Sequence, residues 1–100
     1  MPGYVYVWQF DVRPDKAALF ERIYGRGGDW VALFRRAPGY VDTLLLKDRA
    51  VANRYLTVDR WQSEDAYERF RSQFGAEYHL LDARCEELTL AERSLGTYTE

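Results

Sequence analysis

RYLTVDRWQSEDAYERF, residues 54–70, changes its period partway along. Up to Trp61 it alternates. Tyr55, Thr57, Asp59 and Trp61 fall on one side and Leu56, Val58 and Arg60 on the other, the two-residue repeat of a strand. Ser63 then offers an N-cap hydroxyl, and Glu64 and Asp65 put negative charge into a first helical turn. From there apolar residues recur in steps of three and four, at Tyr67, Phe70, Phe74, Tyr78, Leu81, Cys85 and Leu88. That is the stripe of an amphipathic helix lying back on the strand's inward side. Gly75 interrupts the stripe and predicts a bend or split there.

Upstream, Tyr40–Lys47 reads as a strand, with Leu44 and Leu46 on one side and Val41 and Leu45 on the other. The polar turn of residues 48–53 is short enough to make it a hairpin with residues 54–61. Earlier still, Tyr4, Tyr6, Trp8, Phe10 and Val12 alternate with Val5, Val7, Gln9 and Asp11, a first strand. Pro14 and Asp15 open a helix whose stripe is Ala17, Phe20, Ile23 and Tyr24. Gly25, Gly27 and Gly28 break it, and Asp29 is the expected cap of a short second helix carrying Trp30, Leu33 and Phe34. Arg35 and Arg36 suit the end of that helix, and Pro38-Gly39 stops it. Downstream, Thr89–Tyr98 supplies a weakly patterned fourth strand, with Thr99 and Glu100 expected to fray. The order β-α-(α)-β-β-α-β is that of a ferredoxin-like α+β domain over residues 1–100. It implies a four-stranded antiparallel sheet with its helices on one face. The first two strands are apolar on both sides, and 100 residues hold no third layer, so a second copy of the chain is expected on the open sheet face as a homodimer.

Composition narrows the function classes. Fourteen Lys and Arg against sixteen Asp and Glu give a net charge of -2, which argues against nucleic acid as a partner. The apolar runs are too short to span a membrane. The start Met1-Pro2-Gly3-Tyr4 lacks the basic region of a secretory signal, and the single cysteine, Cys85, rules out an internal disulfide. A cytoplasmic location is the expectation. One His and one Cys give no zinc-ligand set, no G-x-S-x-G setting surrounds a nucleophile, and Gly25-Arg26-Gly27-Gly28 lacks the Lys-Ser/Thr ending of a phosphate loop. No metal site is therefore expected. Eight Tyr, five Phe and three Trp, 16% of the chain, exceed what a plain core of this size needs and point to an aromatic cavity or interface.

Four residues carry candidate chemistry. Asp59 is an acid in an otherwise apolar strand, either a buried general base or the partner of Arg54 or Arg60. Trp61 and Tyr67 converge with it if the strand's odd-numbered side faces the helix, as substrate contacts or as core aromatics. His79 lies about 100° around the helix from the stripe, as a cleft base, a heme ligand or a surface residue. Thr57 shares the face of Asp59 and Trp61, and Phe70 and Phe74 on the stripe would complete an apolar slot.

The chain resembles the antibiotic biosynthesis monooxygenase-like family of dimeric α/β barrels. The resemblance runs from about Tyr4 to Leu95 and is carried by Ala37-Pro38-Gly39-Tyr40, by Tyr55–Trp61 and by Ser63-Glu64-Asp65-Ala66-Tyr67. It implies one of two activities. In a quinone-forming branch, cofactor-free enzymes oxidise anthrone-like phenols with molecular oxygen. Trp61 and Tyr67 match the Trp and Tyr of that branch, Thr57 stands where it has Asn, and Arg84 is the candidate for its helix arginine. In a heme-degrading branch, His79 falls close to the helix histidine, while Phe70 replaces its Trp and Val7 or Trp8 stands where Asn is expected. The resemblance thus implies a cofactor-independent monooxygenase acting on a small aromatic ligand, a phenol, hydroquinone or anthrone. Its alternative is a non-catalytic dimer that binds heme or another flat hydrophobic molecule.

Overall fold

The computed structural model describes residues 3–100. β1 (Tyr4–Val12), β2 (Tyr40–Lys47), β3 (Arg54–Trp61) and β4 (Thr89–Thr99) form one antiparallel sheet in the order β2-β3-β1-β4. A 3-10 turn at Pro14–Lys16 leads into α1 (Ala17–Tyr24), and α2 (Asp29–Phe34) follows the glycine turn. α3 (Glu64–Gln73) and α4 (Gly75–Cys85) form the second helical arm, closed by a 3-10 turn at Glu86–Leu88. This is the ferredoxin-like α+β architecture, with β1 and β3 at the centre of the sheet.

The alternation of β1 and β3 sets the core. Tyr6, Phe10 and Val12 from β1 meet Tyr55, Thr57, Asp59 and Trp61 from β3 on the helix side, and Trp61 has no exposed surface at all. Phe20 and Tyr24 of α1 stack on each other with centroids 4.1 Å apart and pack on Phe10. Phe34 of α2 and Phe70 of α3 meet edge to face at 5.3 Å above Trp61. Ser63 caps α3, its hydroxyl accepting the Ala66 N–H at 3.1 Å. The long helix does split at Gly75, where Phe74 leaves helical geometry (φ -111, ψ 24).

Several local details depart from the sequence reading. Val41 does not join Leu45 on the inner side of β2. A bulge between Tyr40 and Asp42 makes it the extra residue, 47% exposed, and turns Tyr40 inward opposite Trp61. Asp29 does not cap α2. Gly28 holds that position, where a Cβ would lie 2.2 Å from the Ile23 carbonyl oxygen, and the Asp29 carboxylate faces Arg84. The chain end is not frayed. Thr99 pairs with Tyr4, the Glu100 N–H donates to the Gly3 carbonyl at 3.2 Å, and the Glu100 carboxylate meets Arg60 at 3.2 Å. β4 carries two register shifts, opposite Val7/Trp8 and Asp11/Val12, which explains its weak pattern.

Candidate active site

The inward row of β1 and the helices on top of it do not close completely. They leave a cavity of about 130 Å³, partly open to solvent. Tyr6, Trp8 and Phe10 of β1 form one side, and Tyr24, Trp30 and Phe34 of the helices lie above. Thr43, Thr57 and Asp59 supply the polar part of the floor, and Tyr78, Asp82 and Glu92 complete the wall. Aromatic surface on this scale takes up a flat apolar ring, and the few polar groups fix its orientation.

Asp59 is the acid of this floor and is 6% exposed. Neither neighbouring arginine pairs with it. Arg60 points to the opposite sheet face and binds Asp42 through two 2.7 Å hydrogen bonds, and Arg54 binds Asp11 at 2.8 Å. The partner of Asp59 is the Thr43 hydroxyl, which donates to Oδ1 at 2.6 Å. With its proton so placed, Thr43 accepts from the Tyr40 hydroxyl at 2.8 Å. Burial pushes the Asp59 carboxyl up to about 6, against the pull of hydrogen bonds from Thr43 and the Tyr6 hydroxyl. A carboxylate of that basicity, desolvated and facing an apolar cavity, is equipped to take a proton near neutrality.

The other expected residues separate into three groups. Thr57 lines the cavity beside Asp59. Trp61, Tyr67, Phe70 and Phe74 pack together outside the lining. The Trp61 ring lies 5.6 Å from Tyr67 and 5.1 Å from Phe70, and Phe70 lies 5.8 Å from Phe74. Tyr67 reaches the site through Tyr6, with ring centroids 4.9 Å apart. The Trp61 Nε1 is buried without a hydrogen-bond partner of good geometry, and burial holds the Tyr6 hydroxyl well above its ordinary range, a shift that the nearby indole offsets only in small part. His79 and Arg84 lie elsewhere. His79 is exposed on α4, its ring 5.9 Å from Tyr78, so no imidazole reaches the cavity. Arg84 is exposed and faces Asp29 at 3.5 Å. The arginine that does approach the aromatic cluster is Arg71, whose Nη1 donates to the Tyr67 hydroxyl at 3.1 Å and whose guanidinium lies 4.0 Å over the Tyr78 ring.

Sequence reasoning missed Tyr40, because the bulge at Val41 turns it inward, and it gave no role to Thr43, which lies on the inner side with Leu45 as strict alternation places it. It also left Tyr6, Trp8, Tyr24, Trp30, Tyr78, Asp82 and Glu92 unassigned, although the aromatic row of β1 was a visible signal. Among the described residues no three His, Cys, Asp or Glu side chains cluster closely enough to hold a metal.

A sequence profile described as antibiotic biosynthesis monooxygenase matches residues 3–78. Deoxynogalonate monooxygenase of Streptomyces nogalater is 34% identical over 80 residues, which is 80% of this chain and 64% of that protein's length. The chain thus matches less than two thirds of this curated relative. Among solved structures, a variant of SnoaB, a cofactor-independent oxygenase from the same organism, superposes with a TM-score of 0.72 at 28% identity, covering 98% of this chain and 92% of that one. A protein from Bordetella bronchiseptica described as an antibiotic biosynthesis monooxygenase shares the fold, with a TM-score of 0.76 at 21% identity over 100% of this chain and 98% of that one. With the profile spanning most of the described residues and the sheet, helices and cavity arranged as above, the chain belongs to the antibiotic biosynthesis monooxygenase family.

Proposed function

We propose that the chain is a cofactor-independent monooxygenase that oxidises a small phenol, hydroquinone or anthrone-like substrate with molecular oxygen. The observation that carries this reading is the buried Asp59, held by Thr43 on the floor of an aromatic cavity. Its support from relatives is the cofactor independence stated for SnoaB and the monooxygenase activity stated for deoxynogalonate monooxygenase.

The chemistry asks little of the protein. Asp59 removes a proton from the ring-activated C–H or O–H, leaving a delocalised carbanion or phenolate. That anion passes one electron to oxygen, the radical pair combines to a peroxide anion, and the proton held on Asp59 returns to it to give a hydroperoxide. Loss of water from an anthrone hydroperoxide leaves one oxygen atom in the new carbonyl and the other in water, so atoms and electrons balance. A hydrogen bond from Thr57 holds the substrate oxygen as charge develops, while the Tyr6 hydroxyl stays on Asp59. Trp8, Phe10 and Trp30 sandwich the ring and exclude water. Trp61, Phe70 and Phe74 fix the wall from behind, and Tyr67 positions Tyr6. His79 and Arg84, outside the cavity, receive no role in this arrangement.

A second copy of the chain is the partner we assign to the open sheet face. Leu44 and Leu46 are 41% and 46% exposed there, Val7, Leu56 and Val58 are half-buried, and every helix lies on the opposite side. The Arg60–Asp42 and Arg54–Asp11 pairs lie on this same face and neutralise its charges. A largely apolar, internally neutralised face is self-complementary, as a two-fold interface requires.

The test is oxygen consumption by chelator-treated protein with an anthrone-type hydroquinone. Wild-type uptake above background is expected. Asp59→Asn should lower it by about two orders of magnitude or more, the range for loss of a general base. The paired Trp61→Phe/Tyr67→Phe variant should lower it less. Uptake that chelation abolishes, or that Asp59→Asn leaves intact, would overturn the reading.

A further inference from the structure

Three phenols line the cavity, Tyr6, Tyr24 and Tyr78, and two of them are engaged. The Tyr6 hydroxyl is on Asp59, and the Tyr24 hydroxyl lies beside the Cys85 thiol and the Trp30 indole N–H. Tyr78 differs. It is half-buried, and among the described residues its hydroxyl makes no hydrogen bond of good geometry, yet it is not sealed from solvent. Elsewhere the phenols of Tyr40, Tyr55 and Tyr67 are bonded to Thr43, Glu21 and Arg71. The free phenol is the one that faces the cavity.

The Tyr78 ring is held in place. Trp30 meets it edge to face at 5.1 Å, and the Arg71 guanidinium lies 4.0 Å over its face. Arg71 is itself fixed one helical turn back, where its Nη1 donates to the Tyr67 hydroxyl at 3.1 Å. A cation over a phenol ring draws electron density from it and makes its O–H a stronger donor. Burial pushes the Tyr78 hydroxyl up to about 12, Tyr67, Asp82 and Asp59 add to the rise, and Arg71 opposes it. The hydroxyl therefore keeps its proton at neutral pH and has it free to offer.

The reaction asks for such a donor. A substrate whose proton passes to Asp59 carries its new negative charge on an oxygen, which accepts more than the single bond that Thr57 supplies. Among the described residues no Lys, Arg or His lines the cavity. The positive charge that reaches its wall is that of Arg71, through Tyr78.

We propose that the Tyr78 hydroxyl is a catalytic hydrogen-bond donor to the substrate oxygen that turns negative, paired with Thr57, and that Arg71 is the positioning residue behind it. The inference deepens the oxygenase reading and rests on it for the reaction. A preference for a bound phenolate is a property of binding and shows without turnover.

The probe is 4-nitrophenol, a single ring that is stable in air and whose phenolate absorbs visible light. Its ionisation midpoint when bound should lie about one pH unit higher in Tyr78→Phe than in wild type, a tenfold loss in the preference for phenolate. Arg71→Met should move it the same way by less, and Arg71→Lys should recover part of that shift by returning the charge. A midpoint equal in wild type and Tyr78→Phe, or a wild type that does not bind the phenol, would overturn the proposal. If Tyr78→Phe folds poorly, Arg71→Met decides, and a midpoint it leaves unmoved would overturn the proposal. Oxygen uptake with an anthrone-type hydroquinone, run in parallel, separates the two claims. In Tyr78→Phe, kcat should fall about a hundredfold while KM stays within about twofold, the pattern of a donor used in the transition state. A shifted phenol midpoint without any wild-type uptake contradicts the oxygenase reading and leaves the donor standing. Wild-type uptake that Tyr78→Phe leaves intact contradicts the donor alone.

Discussion

Burying a carboxylate opposes folding wherever that group is ionised, and Asp59 regains only part of this cost from Thr43 and Tyr6. Its carboxyl is pushed up to about 6, from 3.8 for an ordinary Asp. The folded chain therefore binds this proton more tightly than the unfolded chain does. Between those two values the folded state carries the extra proton, so stability falls as pH rises, and above about 6 the whole penalty applies, about 3 kcal/mol. An amide keeps the acceptor for Thr43 and carries no charge. Asp59→Asn should thus melt higher than wild type above neutrality, with the gap closing as the pH falls toward 4. Calorimetry across that range checks it, and a gap independent of pH would contradict it. Thr43→Val removes a donor that favours the ionised form, so the midpoint of the pH–rate profile should move to higher pH. Tyr40→Phe acts one bond further away and should move it less. The site was legible at this scale where strict alternation holds. Thr57, Asp59 and Trp61 could be placed on one face by counting, whereas Asp59's actual partner could not, because it comes from a different strand.

At the scale of elements, β3 and α3 read well because nothing interrupts their periods. Tyr55 to Trp61 alternates without a bulge, and Ser63 caps where the apolar steps change from two to three and four. β2 and β4 read poorly for one physical reason, the bulge. One extra residue reverses every assignment before it, which is how Val41 came out and Tyr40 went in. The turn into β2 depends on Gly39, whose φ is +93 and whose added Cβ would lie 2.5 Å from the Ala66 Cβ. Gly39→Ala strains the backbone and pushes on α3 at once, and should cost about 1–3 kcal/mol in denaturant unfolding. Phe70, 1% exposed between Trp61, Phe34 and Phe74, anchors α3 to the sheet. Phe70→Ala should cost about 3–5 kcal/mol by the same measurement. His79 illustrates the converse limit. A residue one place past the stripe lies beside the core in sequence, yet about 100° of helical rotation carries it to the surface.

At the scale of the whole molecule, the helices cover one face of the sheet and leave the other open, the face we assign to a second copy of the chain. The apolar character of both sides of β1 was readable in advance, since nothing in 100 residues remains to cover the second side. The protein should sediment at twice 11.8 kDa at micromolar concentration, and Leu44→Glu with Leu46→Glu should return it to 11.8 kDa by placing charge in the apolar interface. A wild-type monomer would contradict this assignment. The cavity lies on the helix side of the sheet, away from the face assigned to a partner, and Asp59 lines its floor. The most direct test of that arrangement is the pH dependence of oxygen uptake by chelator-treated protein with an anthrone-type hydroquinone. Uptake should rise with pH about a midpoint near 6, the value to which burial brings Asp59, and the rise should vanish in Asp59→Asn. A profile that keeps its midpoint and amplitude in that variant would contradict the account.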